Sequence, residues 1–223
     1  GAGKVYIFLG NATGLETTAS WSVAASQSNA EFGWSVSGAG DVDNNSYADI
    51  IVGAPKYDNG QTDEGRVFVY YCSSSGVSSS ASWTAESDQA AAIFGYSVAS
   101  AGDVNDDGYD DIIIGAPGYD NGQTDEGRAY VYYGASGGLG STPWTAESDQ
   151  AGASFGTSVA CAGKVNSDDY TDLIIGAPMY DNGQTNEGRA YLYLGSSSGV
   201  SNTAAWTTES DQAGAQLGAC VAR

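Results

Sequence analysis

Asp103-Val104-Asn105-Asp106-Asp107-Gly108-Tyr109-Asp110-Asp111, running directly into Ile112-Ile113-Ile114, places oxygen-bearing side chains at alternate positions around a glycine. A hard cation such as Ca²⁺ takes six to eight oxygens at about 2.3–2.6 Å, and a short loop supplies them only if alternate side chains turn inward and the chain bends sharply. Asp103, Asn105, Asp107 and Asp111 offer side-chain oxygens, Tyr109 its carbonyl, and Gly108 the bend. The order of donors matches the start of a helix-flanked calcium loop, but the flanks do not. Ser97 to Gly102 and Ile112 to Pro117 are small, β-branched and glycine-punctuated, so the loop joins two strands.

The loop recurs in register. Asp41-Val42-Asp43-Asn44-Asn45-Ser46-Tyr47-Ala48-Asp49 keeps every donor, as Asp41, Asp43, Asn45, Tyr47 and Asp49, with Ser46 in place of the glycine. Lys164-Val165-Asn166-Ser167-Asp168-Asp169-Tyr170-Thr171-Asp172 is damaged: Lys164 replaces the leading carboxylate and Asp169 the glycine. The pattern therefore predicts two complete Ca²⁺ sites. A third copy, with Asn166, Asp168, Tyr170 and Asp172 remaining, is expected to be impaired by an ammonium near the metal position.

Other positions keep the same step. Trp21, Trp83, Trp144 and Trp206 recur, as do Phe32-Gly33, Phe94-Gly95, Phe155-Gly156 and Leu217-Gly218. So do Gly53-Ala54-Pro55, Gly115-Ala116-Pro117 and Gly176-Ala177-Pro178. Within the central unit four strand-like runs appear, Phe94 to Ser100, Asp111 to Ala116, Arg128 to Tyr133 and Ser141 to Glu147, and none has a helical period. Four antiparallel strands in a unit of constant length predict an all-β β-propeller whose blades bury their faces against their neighbours.

Phe-Gly, an Asp-rich loop and Gly-Ala-Pro, spaced in this order and present three times, resemble the FG-GAP repeat of integrin α-subunit propellers and their bacterial relatives over essentially the whole chain. The resemblance implies that the Asp-rich loop joins the first two strands of a blade and holds Ca²⁺. It also implies an extracellular or cell-surface binding module. The near-identical Tyr-Asp-Asn-Gly-Gln-Thr segments at 57, 119 and 180 point to a bacterial rather than an animal source.

The units divide the chain into residues 1–31 (third and fourth strands of a blade), blades at 32–93, 94–154 and 155–216, and the beginning of a first strand at 217–223. About 3.6 blades do not close a ring, so the expectation is either a homo-oligomer of shared blades, eight in all for two chains, or a piece of a longer chain. An up-and-down strand order puts the calcium loops on one face. It puts Tyr57, Asp58, Tyr119, Asp120, Tyr180 and Asp181 on the other, with the Glu-Ser-Asp-Gln links. By the resemblance, this second face is the ligand face, suited to a protein or glycan ligand. The plainer alternative is that Asn-Gly makes a tight turn and the tyrosines only pack.

Composition narrows the function. The chain has 223 residues with 27 acids, 7 bases, no histidine and a net charge of −20. Two Ca²⁺ bring that only to −16 (−20 + 4), which argues against nucleic acid and anionic membranes as partners. No segment reaches the roughly 20 apolar residues of a membrane span, and neither an initiator methionine nor a signal peptide is present, as in a mature chain or a fragment. Without histidine, a unique nucleophile motif or a phosphate loop, and with its acids distributed as repeats, the chain reads as non-catalytic. A lectin, a structural assembly subunit and, behind these, a hydrolase are the alternatives. Cys72, Cys161 and Cys220 fall at non-equivalent points of the repeat and read as incidental small residues.

Overall fold

The computed structural model describes residues 1–223 and contains strands and turns but no α-helix. Three four-stranded antiparallel sheets follow one another, each with its strands side by side in chain order. The first comprises Ser35–Gly40, Asp49–Ala54, Arg66–Tyr70 and Trp83–Glu86. The second comprises Ser97–Gly102, Asp111–Ala116, Arg128–Tyr132 and Trp144–Glu147. The third comprises Ser158–Gly163, Asp172–Ala177, Arg189–Tyr193 and Trp206–Glu209. Lys4–Ile7 and Trp21–Ala24 pair ahead of them as a two-stranded sheet, and the sheets do not close into a ring. This is the all-β, incomplete propeller expected from the period.

Each sheet buries its faces against the next. One core cluster joins the first and second sheets through Ile51, Val67, Phe94, Ile112 and Tyr130; another joins the second and third through Ile113, Val131, Phe155, Leu173 and Tyr191. The central strand Asp111–Ala116 is buried throughout, which explains its unbroken isoleucine run. Aromatic rings meet edge to face inside each unit and across units: Phe94 on Tyr130 at 5.0 Å, Phe155 on Tyr191 at 5.0 Å, Trp83 on Tyr132 at 4.7 Å and Trp144 on Tyr193 at 5.1 Å.

The two glycine motifs meet at the joints between sheets. Gly115 lies against Gly156 of the next unit, Gly53 against Gly95, and Gly176 against Gly218. A Cβ on Gly115 would overlap the Gly156 carbonyl oxygen, which also accepts the Ser97 hydroxyl at 2.8 Å. Gly115→Ala is therefore expected to destabilise the chain by about 3 kcal/mol through overpacking against backbone. Denaturant unfolding checks this, and an unchanged midpoint would count against the close approach.

The second and third strands begin where the sequence runs do, at Asp111 and Arg128, but the first and fourth start later. Phe94-Gly95 forms a turn, with Gly95 at φ +84°, and the first strand begins only at Ser97; the fourth begins at Trp144 rather than Ser141. The first strand of each sheet ends in a bulge before Gly40, Gly102 or Gly163, which aims the chain into the acidic loop. Residues 219–223 form no strand, while Leu217 donates its amide to the Glu187 carbonyl as Phe94 does to Glu64. All three cysteines are free.

Candidate metal centres

Each acidic loop closes the hairpin between the first and second strands of a sheet, and its last carboxylate anchors it. Asp49 is buried and accepts the amides of Val42 (3.1 Å) and Cys72 (2.7 Å). Asp111 accepts those of Val104 (2.9 Å) and Gly134 (2.8 Å), and Asp172 those of Val165 (2.7 Å) and Gly195 (3.0 Å). Burial pushes the Asp49 carboxyl up to about 6 and that of Asp111 up to about 7. The two amides pull each back down, and the neighbouring carboxylates, Asp43 and Asp41 or Asp103 and Asp107, add to the rise. The loops thus concentrate negative charge around a buried acid.

In the first loop Asp41, Asp43 and Asp49 each bring a carboxylate oxygen within 4.8 Å of the others. Asp41 folds the loop by accepting the Asn45 amide at 2.8 Å and the Ser46 amide at 2.6 Å, while Asp43 Oδ1 is buried with no hydrogen-bond partner. An all-oxygen donor set with an orphaned buried oxygen fits a hard divalent cation.

The second loop is folded alike, Asp103 accepting the amides of Asp107 (3.1 Å) and Gly108 (2.8 Å), but its carboxylates do not close to the same distance. Here Asn and Asp have exchanged places relative to the first loop. Asn105 Nδ2 donates to Asp107 Oδ2 at 2.9 Å and draws that carboxylate aside, leaving Asn105 Oδ1 buried and without a partner. The orphaned oxygen marks a donor that the same cation could use. Asn45 and Asp107 also accept the amides of Tyr47 and Tyr109, at 2.9 and 3.0 Å.

The third loop lacks the leading carboxylate and the amide bonds it makes elsewhere. Asn166 Nδ2 donates to Asp168 Oδ2 at 2.6 Å, Asp168 Oδ1 accepts the Tyr170 amide, and Lys164 is exposed and makes no ion pair rather than standing among the acids. Adjacent loops are tied together: Asp110 accepts the Asp41 amide at 2.8 Å, and its own amide donates to the Asp41 carbonyl at 3.1 Å. The sequence reading assigned Asp110 no role, because nothing local distinguishes it from its acidic neighbours.

On the opposite face the tyrosines are packed and the aspartates cap turns. Arg128 stacks on Tyr119 with its guanidinium carbon 3.9 Å from the ring centroid, Arg189 on Tyr180 at 4.2 Å, and Arg66 lies over Tyr57 at 5.3 Å. Asp58, Asp120 and Asp181 accept the amides of Asp63, Asp125 and Asn186 within their own loops, at 2.7, 2.6 and 2.5 Å. Their backbones are gripped by the preceding link: Gln89 Nε2 donates to the Asp120 carbonyl (2.8 Å) and Gln89 Oε1 accepts its amide (2.6 Å). Gln27 and Gln150 hold Asp58 and Asp181 in the same way. These aspartates remain exposed.

That face also holds three buried acids not picked out in the sequence, Glu64, Glu126 and Glu187. The signal for them is the recurrence of Glu-Gly-Arg at 64–66, 126–128 and 187–189, which reads locally as a turn and a strand start.

The profile of the FG-GAP repeat matches residues 32–70, 94–132 and 155–193. The chain is similar to integrin alpha-5 of Xenopus laevis, 31% identical over 206 residues that cover 88% of this chain and 19% of that protein. Integrin alpha-4 of the same organism is 33% identical over 187 residues, covering 80% and 17% of the two chains. Integrin alpha-PS2 of Drosophila melanogaster is 34% identical over 169 residues, covering 72% and 11%. The chain thus spans less than a fifth of the length of these relatives.

Proposed function

The chain belongs to the FG-GAP repeat family, and on that premise we propose that it is a calcium-stabilised, non-catalytic binding or adhesion module working outside the cell or at its surface. The observation that carries the reading is the first loop, where three carboxylates converge and a buried oxygen lacks a partner. Asp41, Asp43, Asn45, the Tyr47 carbonyl and Asp49 would hold one Ca²⁺, and Asp103, Asn105, Asp107, the Tyr109 carbonyl and Asp111 a second. Bound there, the ion neutralises the acids and fixes the hairpin; it supplies no reaction step. Binding in the range of about 10⁻⁴–10⁻³ M suits extracellular calcium. The third loop, short of its leading carboxylate, is read as empty.

The opposite face is read as the ligand face. With Tyr57, Tyr119 and Tyr180 engaged beneath arginines, recognition there falls to the exposed Asp58, Asp120 and Asp181, which favour a protein or glycan ligand bearing cationic or hydroxyl groups. No helix of the chain is long and apolar enough to cross a membrane.

Asp107→Ala is expected to remove one bound ion from the parent stoichiometry in a calorimetric Ca²⁺ titration while leaving the strand signal in circular dichroism. An unchanged ion count would defeat the assignment of the second loop.

A second reading, a structural subunit extended by further repeats or copies, is favoured by the exposed apolar edge. Tyr6, Leu9, Leu15 and Val36 are all more than half exposed at the end formed by the two-stranded sheet. Light scattering separates a monomer from an assembly.

A further inference from the structure

On the face opposite the acidic loops, Glu126, Glu147 and Asp149 each bring a carboxylate oxygen within 4.8 Å of the others, and Glu187, Glu209 and Asp211 repeat the arrangement one unit on. Glu126 and Glu187 are completely buried. Glu126 Oε1 accepts the Asn121 amide and Glu187 Oε1 the Asn182 amide, but Oε2 of both is buried without a hydrogen-bond partner. A buried carboxylate oxygen left unpaired is costly, and so calls for a cation or a donor.

Part of the charge is already met. Glu147 accepts Arg128 Nε through Oε1 and Asn121 Nδ2 at 2.8 Å through Oε2; Glu209 accepts Arg189 Nε at 2.5 Å and Asn182 Nδ2 at 2.6 Å. Three carboxylates and one guanidinium leave each cluster at −2 (−3 + 1), the charge that a divalent ion balances. We propose that these two clusters are cation sites of a second kind, taking Ca²⁺ through Glu126, Glu147 and Asp149 and through Glu187, Glu209 and Asp211. The donors are all oxygen and irregularly placed, with Asp149 and Asp211 open to solvent, which suits an ion that accepts varied geometry and completes its shell with water. In the first unit Glu64 Oε2 is orphaned too, but Glu64, Glu86 and Asp88 do not close to this distance; Arg66 donates to Thr84 Oγ1 at 2.9 Å and pairs with Glu86 only at 3.8 Å. Two such sites are therefore expected, not three. In each, the ion shares a carboxylate with an arginine stacked on a tyrosine of the proposed ligand face, so calcium there and the setting of Arg128 and Arg189 are coupled.

The test is a calorimetric Ca²⁺ titration of the full chain carrying Asp149→Asn and Asp211→Asn. Both residues are exposed, accept no hydrogen bond, and sit at φ +56° and +54°, which asparagine tolerates, so the fold is kept. Two fewer ions than the parent, or one fewer with another weakened at least tenfold, is the expected result; any smaller change overturns the proposal. Asp103→Asn, titrated in parallel, reports on the loops alone. A drop there with none in the double variant leaves the loop sites standing and removes these, and the reverse pattern does the opposite.

Discussion

Stripping divalent ions from the chain with a chelator lowers its melting temperature by about 10–20 °C. An ion that binds only the folded state stabilises it by about 2.7 kcal/mol when present at about 100 times its dissociation constant, so the two loops together contribute about 5 kcal/mol. For a chain of this size each kcal/mol moves the midpoint by about 2–4 °C. The effect is large because of what the ion leaves behind. Without it, Asp41, Asp43 and Asp49 crowd their carboxylates within 4.8 Å of one another, and the Asp43 and Asn105 oxygens remain buried and unpaired. Circular dichroism melts in excess calcium and in chelator make the comparison, and identical melts would refute a structural role for the metal.

The architecture was legible because its contacts are written into the repeat. Phe-Gly and Gly-Ala-Pro recur together since Gly115 and Gly156, or Gly53 and Gly95, must approach across a joint where no Cβ fits. The spaced tryptophans recur because Trp21, Trp83 and Trp144 each pack edge-on against a tyrosine of the following unit, while Trp206, in the last unit, stays half exposed. Of the loop donors, the spacing anticipated the convergence of Asp41, Asp43 and Asp49, because alternate positions of a tight hairpin turn the same way; it did not report that Asp103, Asp107 and Asp111 stay further apart. Other features depend on partners distant in sequence, and spacing does not report them. Glu126 draws its importance from Asn121 and Glu147, Asp110 from the amide of Asp41, and Tyr119 from the Arg128 that covers it. Period-two reading also ran the first strand back to Phe94, because a buried phenylalanine in a turn looks the same as one in a strand. The difference between the first two loops, tight around Asp43 and drawn aside around Asp107, comes from the exchange of one Asn and one Asp. A donor count treats the two as equal.

Asp111→Ala costs about 4 kcal/mol even without calcium, and in calcium the loss of the ion adds to that. The carboxylate is buried and holds the amides of Val104 and Gly134, which lie on either side of the hairpin, at the loop entry and just beyond the third strand. Removing it leaves two buried N–H groups without an acceptor, each worth about 1–3 kcal/mol. Asp103→Ala, by contrast, frees only amides of Asp107 and Gly108 in an exposed part of the loop, where water can replace the carboxylate. The two substitutions remove the same ion and differ in what they do to the metal-free chain. In chelator, Asp111→Ala unfolds at a much lower denaturant midpoint than the parent, and Asp103→Ala at nearly the parent's. If Asp111→Ala matched the parent in chelator, its carboxylate would serve the metal alone. The gap between the two variants in chelator gives the share of the loop's stability that the chain supplies by itself, a share the third loop retains in Asp172, which still holds the amides of Val165 and Gly195 although the leading carboxylate is gone.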